Sequence, residues 1–260
     1  MQDLTESVRN SGVLEIRDEL ASISGGKVLD VGTQHGRFIT TMMKALKDYD
    51  AFVGIDISEN DLEKARERFP DSTVQFRLMN AEELTFEDDA FDTVCVAYSL
   101  HHLENPDTVL GEMVRVLKTG GHMIICEMYS DGDQSDAQRF EILTHHLGAR
   151  LDRMEGIPHF DTFSRRELKD TVEALGMRGV KVFETTWSLG CLYCDKSHEC
   201  EDPRSDYNLE SGREEIREIL ERARNHDDTD DIQHEAVLLL EKLESIGYHS
   251  ASQLFFICEK

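Results

Sequence analysis

The sequence predicts a doubly wound α/β fold built on a mostly parallel sheet of seven strands, with a helical insertion before the last strand. Strand-like and helix-like segments alternate through residue 130, and an acidic, mostly helical stretch at 188–249 separates the last two strand-like segments. Such alternation is typical of βαβ units, whose helices cover both faces of a parallel sheet. The expected strands are 27–31, 51–56, 73–78, 91–97, 122–128, 179–187 and 251–258. The expected helices are 4–21, 37–47, 59–69, 106–118, 134–153 and 165–175.

In the first half of the chain, apolar runs mark the strands, and caps or breakers mark the helices. The strand at 27–31 runs into two closely spaced glycines, and an apolar helical face begins at Phe38. Ser58 suits the N-cap position of the next helix, which must end before Pro70. These signals set the expected bounds of the first two strand–helix units.

In the second half, the same kinds of signal set the helix ends. A proline opens the helix that begins at residue 106, and a Thr-Gly-Gly tripeptide ending at Gly121 closes it. Ser164 and Glu167 match a capping box, which predicts a helix start at residue 165. An apolar run then ends the chain as the last strand.

The composition is strongly acidic. The chain has 28 Lys and Arg against 53 Asp and Glu, a net charge of −25. Such a surface repels phosphate backbones and anionic membranes, so we expect no nucleic-acid partner and a solvated acidic surface. No apolar run reaches the ~20 residues that span a bilayer, and residues 1–6 do not begin a signal peptide. We therefore expect no membrane insertion and a cytoplasmic protein.

Residues 27–36 combine a strand with a glycine loop that opens a helix. Asp30 ends the strand, and Gly32 and Gly36 allow a ligand to approach the backbone beside the free amides of a helix N-terminus. A dinucleotide-binding loop would have a third glycine where Gln34 stands. An acidic strand end also suits an amine-bearing or cationic ligand better than a pyrophosphate.

Polar groups follow the other strands as well. Asp56 ends the second strand, where a carboxylate can accept hydrogen bonds from both ribose hydroxyls. Asn80 and Ala81 follow the third strand, residues 98–102 follow the fourth, and Glu127 lies at the end of the fifth. Ligands of such sheets bind beyond the carboxyl ends of the strands, so we expect these groups to surround one site.

Taken in order, these segments resemble the class I S-adenosylmethionine-dependent methyltransferases. The resemblance is to the small-molecule branch that includes ubiquinone/menaquinone-biosynthesis-like enzymes, and it covers roughly residues 25–128. It rests on Val28-Leu-Asp-Val-Gly-Thr-Gln-His-Gly36, Gly54-Ile-Asp-Ile-Ser58, Asn80-Ala81, Phe91-Asp-Thr-Val94, Leu100-His-His-Leu-Glu-Asn-Pro106 and Glu112-Met-Val-Arg-Val-Leu-Lys-Thr-Gly-Gly-His-Met-Ile-Ile125. It implies a Rossmann-like methyltransferase fold with S-adenosyl-L-methionine as cofactor.

The resemblance also assigns roles to individual residues. The methionine part of the cofactor would be held by Asp30, Gly32, Thr33 and Gly36, with the backbone of Tyr98 at its border. Asp56 would take the ribose hydroxyls, and Ile57, Asn80 and Ala81 would contact the adenine. Gln34 departs from the usual glycine, and Asn80 stands where the family often has Asp.

His101 and His102 are the candidate catalytic residues, because an imidazole titrates near neutral pH and could act as a general base. The alternative is that they cap a turn, since methyl transfer from a sulfonium can proceed by alignment and desolvation alone. Further side chains could line the acceptor pocket: Tyr129, His145, His146, His159 and Phe160. Adjacent histidines on a helix point about 100° apart, so His145 and His146 cannot both face one site.

One stretch of ten residues in the insertion contains four side chains that could bind a soft metal ion: Cys191, Cys194, His198 and Cys200. They suffice for tetrahedral zinc, although structural zinc sites more often use two separated pairs. Redox or substrate-binding thiols, as in arsenite methyltransferases, and incidental cysteines are the alternatives. Cys95, Cys126 and Cys258 lie in apolar strands and are expected in the core.

The resulting hypothesis is a methyltransferase that acts on a small-molecule acceptor by in-line displacement. Residues 1–24 would form an N-terminal helix acting as a lid, 25–187 the cofactor-binding α/β domain, 188–249 the acidic insertion, and 250–260 the final strand. The alternatives are a non-catalytic sensor that binds the cofactor and a metal, and an NAD-dependent dehydrogenase. The insertion could instead recognise a protein partner, and a homodimer is possible.

Overall fold

The computed structural model describes residues 12–70, 74–186, 189–193 and 199–260. The strands are β1 (Lys27–Val31), β2 (Ala51–Asp56), β3 (Val74–Leu78), β4 (Phe91–Ala97), β5 (Leu117–Met128), β6 (Arg178–Thr185) and β7 (Gln253–Glu259). The α-helices are α1 (Val13–Leu20), α2 (Arg37–Ala45), α3 (Glu59–Arg68), α4 (Pro106–Val116), α5 (Asp136–Met154), α6 (Arg165–Ala174), α7 (Asp206–Ala223) and α8 (Asp230–Ile246). Short 3₁₀ turns lie at Leu100–His102, Leu189–Tyr193 and Glu199–Glu201.

All seven strands form one sheet in the order β3-β2-β1-β4-β5-β7-β6. The first five strands are parallel, and β7 runs antiparallel to both of its neighbours. Thr185 at the end of β6 lies opposite Gln253 at the start of β7. The predicted doubly wound, mostly parallel seven-stranded fold is therefore confirmed.

Side-chain alternation along the strands divides the sheet core into two apolar faces. Leu29 and Val31 point to one face, where helices α4 and α6 supply buried residues such as Met113. Val28 points to the opposite face, together with the buried side chains of α1 and α2 such as Ile16. Burial on both faces explains why the strands read as continuous apolar runs.

The insertion between β6 and β7 forms a helical layer with α5. Buried residues of α5, α7 and α8, among them Leu151, Ile216 and Ala236, make a separate apolar cluster. Ser135 and Gln138 complete a capping box at the start of α5. The predicted helical insertion is thus present, and it packs on α5 beside the carboxyl ends of the parallel strands.

The N-terminal helix is described from Val13 onward, and residues 4–11 of its predicted span lie outside the described part. Val13, Ile16 and Leu20 are fully buried in the core on one face of the sheet. This part of the helix therefore belongs to the sheet domain, and the predicted lid role of residues 1–24 stays a prediction.

Within the described residues, one boundary differs from the expectation by more than two residues. Helix α4 ends at Val116 and β5 already begins at Leu117, which pairs with Phe91. The glycines at 120 and 121 were expected to lie outside both elements, but the Gly120 amide donates to the Lys260 carbonyl at 2.9 Å and joins the sheet. Among the residues described, every helix is too short or too polar to cross a lipid bilayer.

Candidate active site

The loop after β1 makes a tight turn under the predicted ligand site. Gly32, Gln34 and Gly36 all have positive φ, of 67°, 43° and 71°. A Cβ atom at position 32 would lie 2.6 Å from the Ser99 Oγ, so only glycine fits there. The Thr33 amide donates to the Ile55 carbonyl at 2.9 Å and ties the loop to β2.

Asp30 lies beneath this loop and is 1% exposed. Its Oδ2 accepts from the Thr33 hydroxyl at 2.6 Å, and its Oδ1 accepts from the Cys95 thiol at 3.5 Å. Burial raises the pKa of Asp30 to about 7. In this conformation the carboxyl supports the loop from below, so direct contact with a ligand amine remains a prediction.

Asp56 lies at the carboxyl end of β2 with both oxygens turned to backbone amides. Its Oδ2 accepts from the Gln34 N–H at 2.9 Å and its Oδ1 from the Ser58 N–H at 3.0 Å. Each carboxylate oxygen can accept a second hydrogen bond. The group is therefore fixed in direction while it retains acceptor capacity.

A cavity of about 490 Å³ opens beside Asp56 and brings the predicted adenosine residues together. Its lining includes Gly32, Gln34, Asp56, Ile57, Asn80 and Ala81 from the sheet, and His102, Ile157 and Pro158 from the segments above it. Ile57 is 73% exposed, as expected of an apolar surface left for a flat ligand. The Asn80 Oδ1 accepts from the Glu82 N–H at 3.0 Å, which fixes the turn after β3.

A second cavity, of about 440 Å³, adjoins the same loop. Its lining includes Gly32, Thr33, Phe38 and Tyr98. Tyr98 has a φ of 52°, and its hydroxyl donates to the Gln253 Oε1 at 2.6 Å. A tyrosine held in the left-handed region at a strand end is the kind of strain found at ligand sites.

The two candidate catalytic histidines have different surroundings. His101 is 2% exposed, and its Nδ1 hydrogen-bonds to the Oε1 of the fully buried Glu127 at 3.0 Å. His102 lines the larger cavity. Burial, with His101 and His159 nearby, lowers the pKa of His102 to about 3. Of the two histidines, His102 is therefore the one that a cavity ligand could touch, and its catalytic role remains a prediction.

Two candidate acceptor-pocket histidines join this group. The Nε2 atoms of His145 and His159 lie 3.0 Å apart, and the His145 ring lies 4.9 Å from that of His101. His146 points away and hydrogen-bonds to the Thr162 hydroxyl at 2.9 Å. The expected divergence of His145 and His146 is thus what the structure shows.

The other predicted residues are more scattered. Tyr129 is buried and its hydroxyl donates to Glu184, whereas Phe160 is 44% exposed. Cys191 and Cys200 are half-buried beside the core shared by α1 and α2. Cys194 and His198 lie outside the described residues, so a zinc site in this segment stays a prediction.

Sequence reasoning missed two contacts that shape the site. The Ser99 side chain packs against Gly32. Gln253, at the start of the last strand, accepts a hydrogen bond from the Tyr98 hydroxyl. Ser99 stands in the segment that follows β4, which is a usable signal. The sequence near Gln253 does not predict a contact with Tyr98, because the two residues meet only through the antiparallel pairing of β7 with β5.

Comparison with known proteins gives consistent results. Residues 29–125 match the family described as "Methyltransferase domain". The demethylmenaquinone methyltransferase of Bacteroides fragilis is 35% identical over 181 residues, which cover 64% of this chain and 74% of that protein. The ubiquinone/menaquinone biosynthesis C-methyltransferase of Vibrio parahaemolyticus is 28% identical over 152 residues, covering 57% of this chain and 58% of that protein.

A solved structure shares the fold. Phosphoethanolamine N-methyltransferase 2 of Haemonchus contortus, in complex with S-adenosyl-L-methionine, superposes with a TM-score of 0.56 at 19% identity. The match covers 95% of this chain and 52% of that one. It supports the same chain topology.

Proposed function

The chain belongs to the class I S-adenosylmethionine-dependent methyltransferases, and from this we propose that it methylates a small apolar acceptor of the quinol type. The observation that supports the methyl donor is the cavity that gathers Asp56, Ile57, Asn80 and Ala81 beside the glycine loop. The similarity to a demethylmenaquinone methyltransferase supports the choice of acceptor class.

The residues present fit S-adenosylmethionine. The Asp56 carboxylate retains acceptor capacity for two ribose hydroxyls while Gln34 and Ser58 hold it in place. Ile57 and Ala81 would pack on the adenine, and Asn80 would meet its edge. Gly32 lines both cavities and Thr33 lines the smaller one, and the methionine part would lie beside these two residues.

When bound, the cofactor supplies an electrophilic methyl group on a sulfonium. The protein's part is then to align an acceptor atom behind that methyl group and to exclude water. We assign both tasks to the cavity wall formed by His102, Ile157 and Pro158, because these residues line the same cavity as Asp56 and Ile57. His102 could also donate or accept a hydrogen bond that orients an acceptor hydroxyl.

An apolar acceptor agrees with the side chains near this wall. Ile157 is 48% exposed and Phe160 is 44% exposed, and the Phe160 amide donates to the His101 carbonyl at 2.7 Å. Exposed apolar side chains beside a ligand cavity are expected where part of a hydrophobic ligand rests.

The test is a pair of measurements on the purified protein. Calorimetry should show binding of S-adenosylmethionine and no binding of NAD, which separates this function from a dehydrogenase. The protein is also incubated with S-adenosylmethionine and demethylated quinones that a chemical reductant keeps in the quinol form. Mass spectrometry should show that each product molecule has gained one methyl group. Methylation of polar amines but not of quinols would overturn the acceptor class, and cofactor binding with no turnover over a wide acceptor panel would favour a sensor.

Two further expectations concern nucleic-acid binding and self-association. We propose that the chain has no nucleic-acid partner, as its net charge of −25 suggests, and that it could form a homodimer. Light scattering and a nucleic-acid binding assay at low salt would check both.

A further inference from the structure

Three imidazole rings from distant parts of the chain meet beside the cofactor cavity. His101 follows β4, His145 lies in the middle of α5, and His159 lies in the segment between α5 and α6. One ring nitrogen from each lies within 4.8 Å of the others. His101 and His159 are buried and His145 is partly buried, so the convergence is an internal feature.

Carboxylates behind two of the rings fix how they point. The His101 Nδ1 is held by Glu127 at 3.0 Å, and the His159 Nδ1 is held by Asp152 at 2.6 Å. With its Nδ1 held by Asp152, the His159 ring turns its Nε2 to the Nε2 of His145, 3.0 Å away, where a proton or a metal ion can lie between the two nitrogens. Carboxylate–histidine pairs of this kind are the usual support of metal-binding imidazoles.

The carboxylate behind His101 favours a cation, whereas Asp152, behind His159, is already paired with Arg222. Glu127 is fully buried and accepts from the Leu100 and Met128 amides as well as from His101. Within the described ranges no Lys or Arg forms an ion pair with it. A buried carboxylate needs compensating charge, and a cation on the far side of the His101 ring would supply it.

We propose that His101, His145 and His159 bind one divalent first-row transition metal ion, with Zn²⁺ as the expected occupant. Neutral imidazoles suit such ions rather than Mg²⁺ or Ca²⁺, which take oxygen ligands. Nitrogens of a tetrahedral zinc site lie about 3.3 Å apart, given Zn–N distances of about 2.0–2.1 Å. The 3.0 Å between the His145 and His159 Nε2 atoms is close to that spacing.

The site has consequences for the cavity. Three protein ligands leave a fourth position open to water or an exogenous donor. The ring of His102, which lines the cavity, packs on His159 at 4.0 Å and on His101 at 4.3 Å between ring centroids. The ion therefore fastens α5 and the segment carrying His159 to the end of β4, directly behind the cavity wall. This inference stands whether or not the acceptor is a quinol.

The experiment measures zinc stoichiometry in the full chain. Protein stripped with a chelator is equilibrated with micromolar Zn²⁺, and bound metal is counted by mass spectrometry. Wild type should bind one ion through the histidines. His145→Ala should lose it, whereas His146→Ala, one residue along the same helix, should retain it. Cys194→Ser should also retain the histidine-bound ion, which separates this site from the cysteine segment.

Cobalt substitution gives a second, independent readout. Co²⁺ bound by imidazoles in a four-coordinate site should give visible absorption without the thiolate-to-metal band that cysteine ligation produces. Circular dichroism of His145→Ala checks that the variant is folded. If His145→Ala is unfolded, the test uses His159→Gln, which should also lose the ion, together with the cobalt spectrum of wild type. Three results would each overturn the proposal. The first is that wild type binds no metal, and the second is that folded His145→Ala retains the ion. The third is that the cobalt protein has a thiolate band as its only metal signal and that Cys194→Ser abolishes it.

Discussion

The Asp56 Oδ2 accepts a hydrogen bond from the backbone N–H of Gln34 at 2.9 Å. This contact joins the end of β2 to the loop after β1, the two segments expected to hold opposite parts of the cofactor. Because Gln34 has a φ of 43°, its amide is turned toward β2 by the same left-handed conformation that tightens the loop. The position of the carboxylate and the shape of the loop are therefore coupled.

Replacing Asp56 with Ala should weaken S-adenosylmethionine binding by about 1–3 kcal/mol, since charge-assisted hydrogen bonds to the ribose are lost. Calorimetric titration measures the change. Glu59→Ala is a suitable control, because Glu59 is exposed at the start of α3 and pairs with Arg66. Equal affinity of Asp56→Ala and wild type would refute the assignment of the ribose to Asp56.

Replacing Gln34 with Gly should leave the fold intact and raise the free energy of unfolding by roughly 0–1 kcal/mol. Glycine removes the cost of a side chain at positive φ but gains freedom in the unfolded chain, and the two effects partly cancel. Gln34→Val should instead destabilise the protein, because a β-branched residue tolerates this conformation poorly. Urea unfolding of both variants checks the prediction, which fails if Val is tolerated as well as Gly.

Asp30 should make stability depend on pH. Its pKa of about 7 lies above the value of about 3.9 expected in the unfolded chain, so the folded state binds the proton more tightly. Its contribution to the free energy of unfolding is therefore full below about pH 4, falls as the pH rises to about 7, and is constant above that. The total fall approaches about 4 kcal/mol for a shift of this size.

Asp30→Asn should lack this fall, because an amide accepts from Thr33 without titrating. Denaturant unfolding of wild type and variant between pH 5 and 8 measures the difference. Glu141→Gln is a comparison variant: burial, with Glu215 nearby, raises the pKa of Glu141 to about 8, so this variant should keep the fall due to Asp30 and lose the one that extends to higher pH. Parallel stability curves for wild type and Asp30→Asn would contradict the prediction.

Arg222 should hold the insertion against α5. Its guanidinium pairs with Asp152 and with Glu155, at 2.6 Å from the Glu155 Oε2. Arg222→Ala should lower the stability of this layer by roughly 1–2 kcal/mol and increase amide hydrogen exchange in α7. Arg224→Ala, two residues along and exposed, should leave exchange unchanged. Equal exchange in both variants would show that these ion pairs do not hold the layer.

The sheet was predictable because both of its faces are covered. Burial on both sides makes each strand a short apolar run, and glycines, caps and prolines mark the turns between them. The direction of β7 was not readable, because a short apolar run such as the one around Phe255 and Phe256 looks the same in a parallel and in an antiparallel strand. The start of β5 was missed because the two glycines at 120 and 121 pair with the last residue of the chain.

The cofactor site was partly predictable for a related reason. Asp56 and Asn80 follow their strands directly, and a parallel sheet brings such ends to one edge. The histidine cluster was not predictable as a unit, because His101, His145 and His159 belong to separate segments whose approach depends on how α5 packs. Each was a candidate alone, but tertiary packing decided that they meet and that His146 does not join them.

Thr185 and Gln253 are paired across β6 and β7, so the chain leaves the sheet and returns to it at adjacent positions. A hairpin turn of about two to five residues would close the same gap. The register of β6 on β7 therefore does not depend on the length of the helical excursion between them. The residues proposed to bind the methyl donor lie at the ends of the parallel strands, whereas the excursion packs on α5, so its sequence can diverge without replacing any of those residues.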